Sequence, residues 1–158
     1  MSIGIHPTEE YLLKLERRGE LFYIESLFED QSSDLVFLWR TGANPVNFAT
    51  SKTSTLKTTY QILEGATVTA EGTALDLLNR NRSFDDDGLE FTHYLTPTYT
   101  GGTTISTSQT GASSSPGQSS SNPAASFTGT LKANTDYVVV ISPSASNDIN
   151  LSALWWET

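Results

Sequence analysis

The segment Asp136–Ser142 (DYVVVIS) limits the possible folds most strongly, because its run of β-branched and aromatic residues favours an extended strand. Asp34–Arg40 (DLVFLWR) is apolar on both faces, as in a strand that is covered on both sides. Ile149–Glu157 (INLSALWWE) instead alternates apolar and polar residues, which is typical of a strand with one face towards a core. The three segments together indicate an all-β fold.

Turn-forming residues separate several more short strands, as at Thr41–Pro45 and Phe84–Gly88. The predicted strands are Glu20–Glu29, Val46–Thr50, Thr58–Leu63, Leu89–Leu95, Thr103–Gln109 and Phe127–Leu131, while Ala74–Leu78 is ambiguous between a strand and a loop. Short antiparallel strands at this spacing predict a β-sandwich of eight or nine strands. Periodicity does not reveal strand order, so a jelly-roll-like sandwich and an immunoglobulin-like one both remain open.

The N-terminal residues 1–19 form an arm or a short helix in this interpretation, with Met1–Pro7 as the arm. Thr8 can cap a helix that Gly19 ends, and acidic residues precede basic ones between them. Tyr11, Leu12 and Leu15 would share one face of that helix. The competing interpretation is an extended arm that lies on a neighbouring subunit. Met1–Arg18 is therefore the candidate tether to a partner, because short terminal arms become ordered when something ties them down.

Residues 20–158 form the predicted sandwich domain, which contains one long polar loop. Gly111–Ser126 (GASSSPGQSSSNPAAS) has too little apolar surface to pack, so residues 110–126 are expected to be an exposed Ser/Gly-rich loop.

Composition excludes several classes of site and partner. The chain has no cysteine, so disulfides, thiolate zinc sites and cysteine nucleophiles are excluded. A formal net charge of −9 repels nucleic acid and anionic membranes, so neither is expected as a partner. The acidic excess favours solubility. The alternative explanation of this excess is adaptation of the protein to a high-salt environment. Apolar runs stay well short of a membrane span, and no secretory signal is predicted.

Several short blocks occur in a distinctive order. Leu63–Val68 leads into a Gly-Thr pair, Asn79–Arg82 (NRNR) and Thr96–Thr98 follow, and Leu131–Tyr137 comes after the polar loop. Across residues 20–158 this order resembles the capsid decoration (cement) proteins of tailed phages. The resemblance implies a sandwich, often trimeric, that sits over capsomer junctions of an HK97-like shell. The expected function is that of a structural virion protein on the outer capsid surface. Its partners would be the major capsid protein and itself, as a homotrimer.

Two groups of residues are candidates for binding a partner. Arg80 and Arg82 present planar forks that can bind a carboxylate on a neighbouring subunit or on the shell. Local pairing with carboxylates such as Asp76 or Asp85 is the alternative. Trp155 and Trp156 should point to opposite faces of a strand, so one is in the core and the other is available to an interface. The candidate interface residues are therefore Tyr11, Leu12, Leu15, Arg80, Arg82 and Trp156.

The alternative function is a carbohydrate-binding or receptor-adhesion module, with exposed Trp and Tyr side chains as the platform. An enzyme is not predicted, because the sequence has no Gly-x-Ser-x-Gly elbow and only two histidines. His93 falls on the apolar face of its strand, which favours a hydrogen-bonded core residue, and a metal site would need more ligands than His6 and His93 supply. Asp85–Gly88 lacks the alternation of a calcium loop and is expected to be a solvated turn. No metal or other cofactor is predicted.

Overall fold

A computed structural model describes residues 8–86, 88–111 and 125–157. Those residues form one helix, α1 (Glu9–Arg18), and thirteen strands. The strands before the middle of the chain are β1 (Phe22–Gln31), β2 (Leu35–Arg40), β3 (Val46–Ser54), β4 (Thr58–Glu64), β5 (Thr67–Ala70), β6 (Thr73–Leu75) and β7 (Leu78–Asn79). The later strands are β8 (Thr92–Leu95), β9 (Thr98–Thr100), β10 (Thr103–Thr110), β11 (Ala125–Leu131), β12 (Asp136–Pro143) and β13 (Asn147–Glu157).

These strands form two main antiparallel sheets and a short ribbon. The five-stranded sheet has the order β11-β3-β13-β1-β7, and the six-stranded sheet has the order β10-β4-β12-β2-β8-β6. Strands β5 and β9 pair with each other as the ribbon. The prediction of an all-β sandwich with a short N-terminal helix is confirmed.

The strand order is that of a jelly roll. Strand β1 pairs with β13, β2 with β12, β3 with β11 and β4 with β10, so the first four strands meet the last four in reverse order. Successive strands in this set alternate between the two sheets, as in a ribbon folded over on itself. An immunoglobulin-like sandwich pairs consecutive strands within one sheet instead, so the jelly-roll alternative is the one observed.

The core lies between the two sheets and is centred on Trp155. Its ring is fully buried and lies 5.4 Å from the ring of Phe91 and 5.6 Å from those of Trp39 and His93. Trp39 and Tyr137 are also buried, as the sequence predicted. Edge-to-face and tilted aromatic contacts of this kind stabilise a core beyond the area that they bury.

Helix α1 begins and ends where the sequence predicted. The Thr8 hydroxyl oxygen accepts a hydrogen bond from the Tyr11 backbone N–H at 3.3 Å. Gly19 follows the helix with φ of 72°, and its N–H donates to the Glu16 carbonyl. A Cβ at Gly19 would also overlap the ring of Phe84, so glycine is required there for two reasons.

The segment between β4 and β10 departs most from the sequence prediction. Ala74–Leu78 is neither one strand nor a loop, because the chain crosses there from β6 in one sheet to β7 in the other. The predicted strand Leu89–Leu95 is shorter, although Leu89 and Phe91 still pack on the core. The predicted arm Met1–Pro7 and residues 112–124 of the polar loop lie outside the described residues.

Candidate interface surface

Helix α1 packs on the outer face of the five-stranded sheet. Leu15 and Leu21 form a buried cluster there with Trp156, which is only 5% exposed. The ring of Tyr11 meets the Trp156 ring edge-on, with centroids 6.4 Å apart. The predicted divergence of Trp155 and Trp156 is confirmed, but the expected exposure of Trp156 is wrong because the helix covers it. Trp156 and Leu15 are therefore unavailable to a partner while the helix is docked.

The Asn79–Arg82 loop fixes the C-terminal end of this helix to the sandwich. The buried Asn79 side chain donates from Nδ2 to the Gly19 carbonyl at 2.8 Å, and its Oδ1 accepts from the Asn81 N–H at 3.0 Å. The Arg80 backbone N–H donates to the carbonyl of Leu21 at 2.8 Å. These bonds join the helix and the sheet into one body, so α1 is not a loose tether.

Arg82 makes the local ion pair that the sequence left as the alternative. Its Nη1 lies 2.6 Å from Asp86 Oδ1, which also accepts from the Asn79 backbone N–H at 2.6 Å. The Arg82 hydrogen bond, followed by that N–H, lowers the pKa of Asp86. The partner is Asp86, not Asp76 or Asp85. Asp87 of this turn lies outside the described residues, and no metal-ligand cluster forms within the ranges described.

Both arginines of the NRNR motif remain accessible, but Arg80 is held less tightly than Arg82, whose side chain is 58% exposed and paired with Asp86 at 2.6 Å. The Arg80 side chain is 49% exposed and its Nε lies 3.4 Å from Glu16 Oε2, a long contact for an ion pair. Two grooves, of about 300 and 340 Å³, meet at Arg80 and Leu12. Tyr23 and Glu25 line the first groove, and Leu13 lines the second. We call Leu12, Leu13, Tyr23, Glu25 and Arg80 the Arg80 surface.

The Arg80 surface includes a residue that sequence reasoning missed. Leu13 is 49% exposed, whereas Leu15 is buried, because the two side chains lie on opposite sides of the helix. Tyr11 is also partly exposed, at 42%. A helical projection of the sequence places Leu13 on the side of the helix opposite the predicted inner face. A leucine on the solvent side was therefore the signal that could have identified this residue.

His93 is buried, as predicted, but its predicted hydrogen bond is absent among the described residues. Neither ring nitrogen has a partner there, and burial lowers the pKa of the imidazole to about 4. Together with Trp155 Nε1, which is also unpartnered, it forms a polar spot inside the sandwich core. No nucleophile lies within hydrogen-bond distance of this histidine in the described ranges, so the site lacks a base–nucleophile pair.

The chain matches no protein-family model, and a search of curated proteins found no match either. Within the part of the chain that is described, no helix is long and apolar enough to cross a membrane. The jelly-roll fold and the geometry of the Arg80 surface are therefore the grounds on which a function is proposed.

Proposed function

We propose that the protein is a non-enzymatic capsid decoration protein that binds the outside of an assembled HK97-like shell. It would act as a homotrimer and bridge neighbouring major capsid proteins. The observation that carries this proposal is the Arg80 surface, where a half-exposed guanidinium lies beside an exposed leucine on a firmly docked helix. Rigid surfaces of this kind bind a partner with little loss of conformational entropy.

The chemistry of Arg80 defines what the shell would contribute. A guanidinium offers five N–H donors in a plane. Among the described residues its one ion pair is with Glu16, which leaves donors for a carboxylate of the partner. Leu12 and Leu13 supply apolar area next to that charge. The complementary patch on the major capsid protein would therefore carry an acidic residue flanked by apolar side chains.

The proposed mechanism is mechanical. A protein that binds only the assembled shell shifts the equilibrium towards that state by mass action. Each bound subunit adds contacts that must break before neighbouring capsid proteins separate. A compact antiparallel body suits this role because most of its strands are held by pairing on both sides.

The docked helix changes which segment can serve as a tether. Deletion of Met1–Arg18 would uncover Trp156 and remove Leu15 from its cluster, so the sandwich is not expected to tolerate it. The segment to delete in a test of the tether is Met1–Pro7. Reduced capsid occupancy with unchanged unfolding is the expected result, and full occupancy would remove the tether from the proposal.

Co-sedimentation with empty capsids that were assembled without this protein tests the proposal. Arg80→Ala and Leu13→Asp should each weaken binding by about tenfold or more, as changes at interface anchors do. Arg17→Ala is the matched control, because Arg17 is exposed on the same helix and lies outside the Arg80 surface. Failure of the unaltered protein to sediment with capsids would contradict the proposal. Equal binding by all three variants would exclude the Arg80 surface as the docking site.

The alternative is a carbohydrate-binding or receptor-adhesion module. Trp156 cannot be its stacking platform, because the helix covers that ring. The exposed aromatic residues of the described ranges are Tyr11 and Phe84, at 42% and 45%. A glycan-array signal that disappears in Tyr11→Ala, with no binding to capsids, would favour this alternative.

A further inference from the structure

Another groove opens where the two sheets part, at the side of the sandwich that β6 and β7 border. These are edge strands of different sheets, and residues 76–77 connect them. The groove has a volume of about 670 Å³ and shares no lining residue with the two grooves that meet at Arg80, so it is a separate surface. We call it the Asp76 groove. Its lining combines carboxylates with leucines, namely Asp76, Asp85 and Asp86 with Leu75, Leu78 and Leu89.

The Asp76 groove carries negative charge that the described residues leave largely uncompensated. Asp76 and Asp85 are exposed, and neither makes an ion pair with a described residue. Asp86 is paired with Arg82, whose Nη1 lies 2.6 Å from Asp86 Oδ1. None of the described residues that line the groove is a lysine or an arginine. A cation that enters the groove would therefore meet two carboxylates without a competing cation in the lining.

Apolar side chains lie beside these carboxylates. Leu78 is 36% exposed, whereas Leu75 and Leu89 are half-buried and pack against the core. Lysine and arginine have long apolar stems, so such a side chain can cover leucine while its charge reaches a carboxylate. No metal-ligand cluster is found in the part of the chain that is described. The mixed lining therefore fits a protein segment with basic and apolar side chains better than it fits an inorganic cation.

His93 lies at the inner end of the groove, because it also lines the small cavity between the sheets. It is 5% exposed, and neither ring nitrogen has a partner among the described residues. Burial lowers the pKa of this imidazole to about 4, so the ring is neutral at neutral pH and keeps one acceptor nitrogen. The inner end of the groove thus adds no positive charge that would oppose a bound cation.

We propose that the Asp76 groove binds a segment of another protein in which arginine or lysine stands beside apolar side chains. Strand β6 has three residues and β7 has two, so neither edge offers more than a short template for strand addition. Binding depends instead on side chains, with the basic group at the carboxylates and its apolar neighbours on the leucines. The proposal does not require the capsid function. On a capsid, the groove would give each subunit the second contact that a bridging protein needs.

Fluorescence anisotropy with a labelled peptide tests the charge of the groove. The probe is a short peptide that alternates leucine and arginine, and in the control peptide glutamate replaces each arginine. The leucine–arginine peptide should bind, and the leucine–glutamate peptide should not. The double variant Asp76→Asn/Asp85→Asn should weaken binding by about tenfold or more. Failure of the leucine–arginine peptide to bind the unaltered protein would overturn the proposal.

The matched control is the double variant Glu29→Gln/Asp34→Asn. It removes the same charge from two exposed positions outside the groove, so it should bind the peptide as the unaltered protein does. Equal weakening in the two double variants would mean that net charge alone attracts the peptide, and this result would overturn the proposal.

A pair of leucine variants tests the apolar part of the groove. Leu78→Ser should weaken binding of the leucine–arginine peptide, whereas Leu27→Ser, at a 56% exposed position outside the groove, should not. Unchanged binding by both variants would overturn the apolar half of the proposal. If Leu78→Ser does not fold, the aspartate variants still decide, because their substitutions are at exposed positions.

Sedimentation velocity distinguishes a foreign segment from a second copy of this chain. Asp76→Asn/Asp85→Asn should have the same mass in solution as the unaltered protein. A lower mass for the double variant would show that a second copy occupies the groove, and it would overturn the assignment to another protein.

Discussion

Tyr137 shows how one buried side chain fixes a corner of the sandwich. Its hydroxyl accepts from the Lys132 backbone N–H at 2.9 Å and donates to Glu64 Oε2 at 3.0 Å. Lys132 Nζ holds the other carboxylate oxygen of Glu64 at 2.6 Å. One tyrosine hydroxyl thereby joins the turn before β12 to the end of β4.

Removal of that hydroxyl should destabilise the protein. Tyr137→Phe is expected to lower the free energy of unfolding by about 1–2 kcal/mol, because the Lys132 N–H is left without its partner. Urea denaturation measures the change. Tyr94→Phe is the control, since that hydroxyl makes no hydrogen bond to a described residue. Equal losses in the two variants would show that the corner bonds contribute nothing specific.

Protonation of His93 should destabilise the fold in acid. Its pKa is about 4 when folded and near 6.5 when unfolded, so the unfolded chain binds the proton more tightly. The stabilising effect is complete above pH 6.5 and is lost as the pH falls towards 4, by up to about 3 kcal/mol.

Urea denaturation at several pH values measures this effect. His93→Gln should lose less stability than the unaltered protein between pH 7 and 4.5, because glutamine does not titrate there. Parallel stability curves for the two proteins would contradict the assignment to His93.

For single residues, the sequence predicted the burial of core aromatic side chains better than the burial of polar ones. Trp39 and Tyr137 lie in strongly apolar strands, so their burial could be read from the pattern. Lys52 is only 4% exposed. Its burial was missed because the predicted strand stopped at Thr50, whereas β3 continues to Ser54. Extension of the alternation by two residues places Lys52 on the inner face.

Among the elements, helix α1 has two sides with different roles. Leu15 lies against Leu21 and Trp156, whereas Leu13 lines a groove that opens to solvent. The helix is short, so its stability depends on that packing.

A matched pair of substitutions separates these roles. Leu15→Ala should cost about 2–5 kcal/mol in the free energy of unfolding, because it leaves a cavity against Trp156. Leu13→Ala should cost less than about 0.5 kcal/mol, as exposed substitutions usually do. Urea denaturation followed by tryptophan fluorescence gives both values. Similar costs for the two variants would mean that the helix is not docked through Leu15.

The helix could be predicted to its ends because its caps are local features of the sequence. Thr8 and Gly19 act within a few residues of the bonds that they form. The crossing between β6 and β7 could not be predicted in the same way. Those strands are very short, and their sheet is decided by the distant partners β8 and β1.

For the whole molecule, topology depends on pairings across nearly the full chain. Phe22 lies opposite Trp155 in the sheet, and Leu35 lies opposite Ile141. Alternation shows which residues face inward but not which strand lies alongside, so the sequence predicted a sandwich without choosing its strand order. The convergence of Leu12, Leu15, Arg80 and Trp156 on one side also follows only from the folded structure.

The homotrimer can be tested without a capsid. Sedimentation equilibrium of the purified protein should give three times the mass of one chain. A monomer at micromolar concentration would contradict a preformed trimer and leave assembly on the shell as the only route to one.

Imaging of purified virions tests the central claim most directly. A reconstruction that resolves single domains should show a jelly roll on the outer surface at the capsomer junctions. The α1 side, with Arg80, should face the major capsid protein. Virions that lack this density, or that carry the protein only at the tail, would contradict a capsid-stabilising role.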